Sequence, residues 1–143
     1  VVAVFVRRDC PISNRYAPEL RRLHEKFTRK GVRFWLVFPG ADDSEESIAA
    51  YLEEFQLPFP TLADPDHTLV RATGVRVTPE VAVYTGGQLA YRGRIDDLYS
   101  SLGHRRSAPT THDLERALES ILGRQRIGLS RTTAIGCAIS PPP

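Results

Sequence analysis

The chain opens on an unbroken apolar run, Val1-Val2-Ala3-Val4-Phe5-Val6, and three residues later reaches Cys10-Pro11. A run of this kind is the pattern of a strand buried on both faces, inside a sheet that is covered on each side. Proline is favoured at the first helical position, so Cys10-Pro11 marks the place where that strand hands over to a helix. A buried strand that ends in a cysteine at a helix start leaves few arrangements open to the rest of the chain.

Leu20, Leu23, His24 and Phe27 recur at helical spacing until Gly31 stops them. Pro18 is predicted to kink this helix or break it in two. Residues 32–38 read as a second buried strand, ended by Pro39-Gly40. Asp42 and Glu45 have the spacing of a capping box, ahead of the helical face Ile48, Tyr51, Leu52 and Phe55. Pro58 and Pro60 end that helix. Residues 61–63 form a short extended piece, and a brief helix runs through Leu69, Val70 and Ala72 to Gly74. Residues 81–84 are a strand, Gly86-Gly87 a hairpin turn, and residues 88–92 the antiparallel return. Residues 97–110 are polar and read as a loop. A last helix is expected from Thr110 or Thr111, with Leu114, Ala117, Leu118, Ile121 and Leu122 as its apolar stripe and Gly123 as its end. Helices between parallel strands, followed by a hairpin, predict an α/β chain with a mixed central sheet flanked by helices on both faces.

These 143 residues fit one domain, assigned to residues 1–127. Residues 128–143 carry Cys137, show little periodicity and end in Pro141-Pro142-Pro143, which reads as a tail leading into a linker. The chain has no methionine and begins inside a strand, so it is expected to be a processed form or a piece of a longer polypeptide. A net charge of +2, scattered rather than clustered, gives no footprint for nucleic acid or a membrane surface. No apolar stretch is long enough to insert into a bilayer.

Cys10 and Cys137 are the only cysteines, too few for a disulfide scaffold or a structural zinc site, although one bond between them is open. At a helix start, unpaired backbone N–H groups and the helix dipole favour a thiolate. A thiol so placed is more acidic than its free value of about 8.5. Cys10 is therefore the candidate nucleophile, expected to be at least partly accessible. Pro11 makes the helix start rigid, and the Ser13 hydroxyl, one turn on, is a donor toward the sulfur. The alternative is that Cys10 is a small buried apolar residue. His24 lies on an apolar face, and His67, His104 and His112 lie near loops or helix starts. None has ligand spacing, so neither a metal nor another cofactor is expected. Asp42, Asp43, Glu45 and Glu46 are read as helix N-terminal charges. Trp35, within a buried strand, is a candidate shield for the active-site side of the sheet.

The segment Asp9-Cys10-Pro11-Ile12-Ser13-Asn14-Arg15-Tyr16-Ala17-Pro18-Glu19-Leu20 resembles the active-site helix of the thioredoxin-like superfamily, in its redoxin branch of peroxiredoxins and TlpA-type proteins. Phe59-Pro60-Thr61-Leu62-Ala63-Asp64-Pro65, Gly74-Val75-Arg76-Val77-Thr78-Pro79-Glu80-Val81 and Tyr91-Arg92-Gly93-Arg94-Ile95-Asp96-Asp97 are similar to its later landmarks. Thr133-Ala134-Ile135-Gly136-Cys137-Ala138-Ile139 resembles the C-terminal end of one redoxin subgroup. The resemblance implies a thioredoxin-like fold, with Thr78-Pro79 as a cis-proline loop that faces Cys10 and offers the Thr78 backbone to a substrate strand.

The same resemblance shows departures. Ser13 stands where a dithiol thioredoxin has its second cysteine, so the helix is monothiol. Ala3 and Arg7 occupy the proline and threonine positions of a peroxiredoxin. The arginine expected near Thr78 is not matched, with Arg76 close by and Arg7, Arg8 and Arg15 as substitutes. Asn14 replaces the second cysteine of the copper chaperones of this fold. Cys137 is left as a resolving cysteine, a structural residue or a partner contact. Three functions are implied: a monothiol thiol–disulfide oxidoreductase, a peroxiredoxin-like antioxidant peroxidase, or a redox-inactive interaction module of a multidomain protein. The implied partners are protein or small-molecule thiols and disulfides, or peroxide. The implied location is extracytoplasmic, periplasmic or secreted, in a bacterium.

Overall fold

A computed structural model describes residues 1–142; Pro143, in the expected start of a linker, lies outside the described residues. In chain order the elements are β1 (Val2–Phe5), α1 (Pro11–Arg15), α2 (Ala17–Thr28), β2 (Phe34–Phe38), α3 (Glu45–Phe55), β3 (Thr61–Ala63) and α4 (Thr68–Thr73). Then come β4 (Val77–Thr78), β5 (Glu80–Thr85), β6 (Gln88–Gly93), β7 (Tyr99–Ser101), β8 (His104–Arg105), α5 (Asp113–Leu122) and β9 (Cys137–Ala138). The main sheet has the order β3-β2-β1-β5-β6. β1 lies parallel to β2 and β2 to β3, whereas β5 runs antiparallel to both β1 and β6. This is the mixed sheet of the thioredoxin-like fold, in the α/β class.

Alternation along the central strands builds two cores. Val2, Val4, Phe34, Leu36, Phe38, Val81 and Val83 face one side and meet Leu20, Leu23 and Phe27 of α2, Tyr51 of α3, and Leu114 and Leu118 of α5. Phe5, Val37 and Ala82 face the other side, against Val75, Leu69 and Val70, with Ile139 from the tail packed on them. Each fully buried side chain of this size contributes about 1.5–3 kcal/mol. The fully apolar β1 follows from having a core on both faces.

The first helical stretch breaks at Tyr16, which ends α1 and precedes α2. Pro18 falls in the first turn of α2, where its missing N–H costs nothing. The expected capping box at Asp42 and Glu45 is corrected. Ser44 caps α3, and its hydroxyl and that of Ser47 satisfy each other's backbone N–H groups. Asp43 instead binds the Arg8 guanidinium at 2.5 Å. Residues 97–110, read as loop, contain the β7–β8 hairpin, turned at Gly103 with φ +79°. That hairpin is exposed, so it carries no apolar alternation. The last helix starts at Asp113, after the expected Thr110 or Thr111, and both those N–H groups donate to the Asp97 carboxylate.

The tail folds back onto the domain. Arg92 N–H donates to Ser130 and Thr132 N–H to Arg92. The Thr132 hydroxyl meets Tyr91 Oη at 2.6 Å and accepts from Arg94 N–H at 2.9 Å. β9 then pairs antiparallel with β4, Thr78 opposite Cys137. Two-residue strands leave no period to read in a sequence.

Candidate active site

Cys10 is the N-cap of α1, with extended backbone (φ −96°, ψ 110°), and Pro11 follows at the first helical turn. The Ser13 backbone N–H donates to Cys10 Sγ at 3.4 Å. The Ser13 hydroxyl, expected to face the sulfur, instead accepts from Arg7 N–H at 3.5 Å. It is the helix backbone, and not the serine side chain, that is aimed at the sulfur.

The Thr78–Pro79 peptide bond is cis. Thr78 is fully buried and its carbonyl oxygen lies 3.3 Å from Cys10 Sγ. Cys10 and Cys137 are joined in a disulfide with Cα atoms 6.1 Å apart. The sulfur therefore carries no proton here, and its approach to Thr78 is a packing contact. The structure thus brings Cys10, Pro11, Ser13, Thr78, Pro79 and Cys137 together.

One expectation is corrected. Cys10 has no exposed surface in this state, although it sits at the helix start and not in mid-helix. The cover is the tail: Cys137 bonds the sulfur, and β9 closes over the edge of β4. Gly136 lies so close to Thr78 that a Cβ there would fall 2.7 Å from the Thr78 carbonyl carbon and closer still to its oxygen. Arg7 reaches across the strand, with Nη1 3.5 Å from the Ala138 carbonyl oxygen and Nη2 3.2 Å from Asp9.

The other arginines stand apart from the sulfur. Arg8 is held by Asp43, Arg15 is exposed, and Arg76 is exposed with its backbone N–H bound to Glu80. Trp35 is half-buried and pairs across the sheet with Ala3. His24 packs against Phe34 and Phe59, and burial lowers its pKa.

Sequence reasoning missed a buried polar pair beside Pro79. Tyr16 donates to Asp96 at 2.6 Å, and both line a small closed space with Pro79 and Ile135. Burial pushes the Asp96 carboxyl above its ordinary value, against the hydrogen bonds from Tyr16 and from Leu98 N–H. Burial, with the bond to Asp96, pushes the Tyr16 phenol above its own range as well. The only signal in the sequence is an acid after a buried strand in Gly93-Arg94-Ile95-Asp96. Asp96 also approaches Glu19 and His112; its Oδ1 accepts from both Tyr16 and Leu98 N–H, and Glu19 is bound to Arg22. These contacts describe a structural cluster.

The model of the AhpC/TSA family matches residues 1–95. The crystal structure of an uncharacterized conserved protein from Geobacillus kaustophilus superposes with a TM-score of 0.84 at 27% identity, over 97% of this chain and 75% of that one. A hypothetical protein from Sinorhizobium meliloti 1021 gives 0.82 at 21% identity, over 96% and 77%. A secreted Mycobacterium tuberculosis disulfide oxidoreductase, described as homologous to E. coli DsbE, shares the fold with a TM-score of 0.59 at 18% identity, over 83% and 79%. No curated protein matches the sequence.

Proposed function

The chain belongs to the AhpC/TSA family, and from that premise we propose that it is a thiol–disulfide oxidoreductase in which Cys10 attacks and Cys137 resolves. The observation that carries the reading is the Cys10–Cys137 bond at a helix start, beside the Thr78 carbonyl. Helix α1 is monothiol, since Ser13 offers no sulfur. The second thiol comes instead from the tail.

In the forward direction the Cys10 thiolate attacks one sulfur of a substrate disulfide. The substrate S–S bond breaks, its other sulfur leaves as a thiolate, and a Cys10–substrate bond forms. The Cys137 thiolate then attacks the Cys10 sulfur and expels the substrate sulfur. The Cys10–Cys137 disulfide is left, and two electrons have passed to the substrate. A pair of external thiols restores the reduced protein. The Ser13 N–H is aimed at the Cys10 sulfur while it carries negative charge, as nucleophile and as leaving group.

A peroxidase cycle ends in the same disulfide, and the family match favours keeping it as the second reading. There the Cys10 thiolate takes one peroxide oxygen, releases hydroxide and becomes a sulfenic acid, which condenses with Cys137 and loses water. Against it, Arg7 stands at the threonine position and is engaged by Ala138 and Asp9, so no free donor pair aligns a peroxide. The redox-inactive module is the third reading.

Partners on the first reading are protein or small-molecule disulfides. An extracytoplasmic location is proposed on structural neighbours described as secreted or DsbE-like. No helix among the described residues is long and apolar enough to cross a membrane. Residues 1–127 are proposed as the domain, residues 128–143 as its working tail, and the proline run as a lead into further domains.

The test compares insulin reduction and peroxide consumption for wild type, Cys10→Ser, Cys137→Ser and Ser13→Cys. The expected pattern is disulfide reductase activity lost in Cys10→Ser, a trapped mixed disulfide in Cys137→Ser, and slow peroxide turnover. Ser13→Cys should speed turnover with dithiol donors. Fast peroxide consumption that stalls after one turnover in Cys137→Ser assigns the peroxidase reading. Identical wild type and Cys10→Ser in both assays assigns the module.

A further inference from the structure

The tail does more than deliver a sulfur. It lies extended and antiparallel to β4, with Thr78 opposite Cys137 and Val77 opposite Ala138. Ile139 N–H donates to the Arg76 carbonyl at 3.0 Å, and Arg7 reaches the Ala138 carbonyl. Every one of these backbone contacts could be made by another polypeptide strand, since none of them depends on a side chain of the tail. Around the cysteine, within residues 136–139, two positions carry the fit to the domain. Gly136 is one. Its φ is not in the left-handed region, so glycine is needed there for space alone, because the Thr78 carbonyl occupies the position of a Cβ. Ile139 is the other, packed on the apolar cluster of Phe5, Val37, Val75 and Ala82.

We infer that the groove β9 fills beside β4 is selective, taking extended polypeptides that carry Gly-Cys-x-aliphatic, the pattern of Gly136-Cys137-Ala138-Ile139. The inference rests on the proposal that Cys10 is the nucleophile. The Cys10–Cys137 bond then has the form of the mixed disulfide with substrate: same attacking sulfur, same strand direction, same register. Tail and substrate exclude one another, so the groove opens only when the tail leaves. A substrate cysteine preceded by any residue larger than glycine meets the Thr78 backbone, which cannot move aside as a flexible side chain does. A polar residue two positions after the cysteine leaves the Phe5–Val75 cluster uncovered.

The experiment uses the full chain and a synthetic decapeptide with the sequence of residues 131–140, its cysteine joined to thionitrobenzoate. Attack by Cys10 on the peptide sulfur releases thionitrobenzoate, which is read by absorbance. Selectivity is measured in the double variant Gly136→Ala/Cys137→Ser, whose own tail is kept out of the groove. The native peptide should react about tenfold faster than a peptide with alanine in place of its glycine. It should react several-fold faster than one with serine in place of the second isoleucine. In the single variant Cys137→Ser the native peptide should react more slowly than in the double variant, because the docked tail competes. Ellman's reagent, which needs no groove, should show neither selectivity nor a need for the peptide. Equal rates for the three peptides, with Ellman's reagent reacting normally, overturn the groove inference and leave the nucleophile assignment standing. If Ellman's reagent reacts only after unfolding, the nucleophile assignment fails and the groove inference with it.

Discussion

Cys137 stands directly opposite Thr78 in the β4–β9 pair, so the tail sulfur reaches Cys10 from the edge that carries the cis-proline. The arrangement couples covalent closure to strand docking, and the two can be separated by measurement.

The Cys10–Cys137 bond closes a loop with a sequence separation of 127. Cross-links over long loops restrict the unfolded chain, and reduction should lower stability by about 2–5 kcal/mol. Urea unfolding with and without reductant measures this. Cys137→Ser should match the reduced wild type and lose nothing more when reductant is added. A further loss in that variant would place the stabilisation elsewhere.

Gly93 is held at φ +151°, where a Cβ would lie 2.6 Å from the Thr132 carbonyl oxygen and 2.8 Å from its nitrogen. Gly93→Ala should therefore lift the tail off β6, at a cost of about 1–3 kcal/mol. In the reduced protein, Cys10 should be alkylated faster than in wild type. Unchanged alkylation would mean that the tail does not cover Cys10 once the bond is open.

Much of the framework was legible because it rests on local signals. The doubly buried β1, the Cys10-Pro11 helix start, the Gly86-Gly87 turn and the Gly74 and Gly123 helix ends each follow from a few adjacent residues. What escaped depends on tertiary contact. β4 and β9 are two residues each and have no periodicity, and the junction of Cys10 with Cys137 spans nearly the whole chain. Ser44 took the cap expected of Asp42 through its reciprocal bond with Ser47. The Tyr16–Asp96 pair lies 80 residues apart in sequence, and only folding brings the phenol to the carboxylate.

That pair gives a pH-dependent prediction. Burial raises the Asp96 carboxyl above its unfolded value, so ionising it in the folded state opposes folding as pH rises through its folded pKa. Tyr16→Phe removes a donor to this carboxylate and should destabilise by about 1–3 kcal/mol at neutral pH. The loss should shrink in acid, where Asp96 is protonated and needs the donor less. Urea midpoints for wild type and variant at both pH values test this, and a loss independent of pH would assign the effect to packing.

Glu115 gives the opposite sign. The Arg22 hydrogen bond, aided by that of Lys26 and opposed by burial, lowers its carboxyl from 4.5 to about 2. A depressed carboxyl contributes stability that is complete above the unfolded value and is lost as pH falls through the folded one. Thermal stability should therefore decline between about pH 4.5 and 2. Glu115→Gln should lower stability at neutral pH and flatten this part of the decline. An unaltered acid limb would show that the contact of α5 with Arg22 and Lys26 is silent.

The Thr132 hydroxyl, held between Tyr91 and Arg94, also fixes how far a released sulfur can travel. From that anchor to Cys137 is five residues, a span of about 17 Å when fully extended. On the proposed resolving role, a thiol on so short a leash would return to Cys10 by intramolecular collision, at an effective concentration on the order of millimolar. A free thiol in solution must exceed that level to capture Cys10 first. In the proposed cycle, leash length, set by where one threonine is moored, would decide whether the cycle closes on itself or hands its intermediate to another molecule.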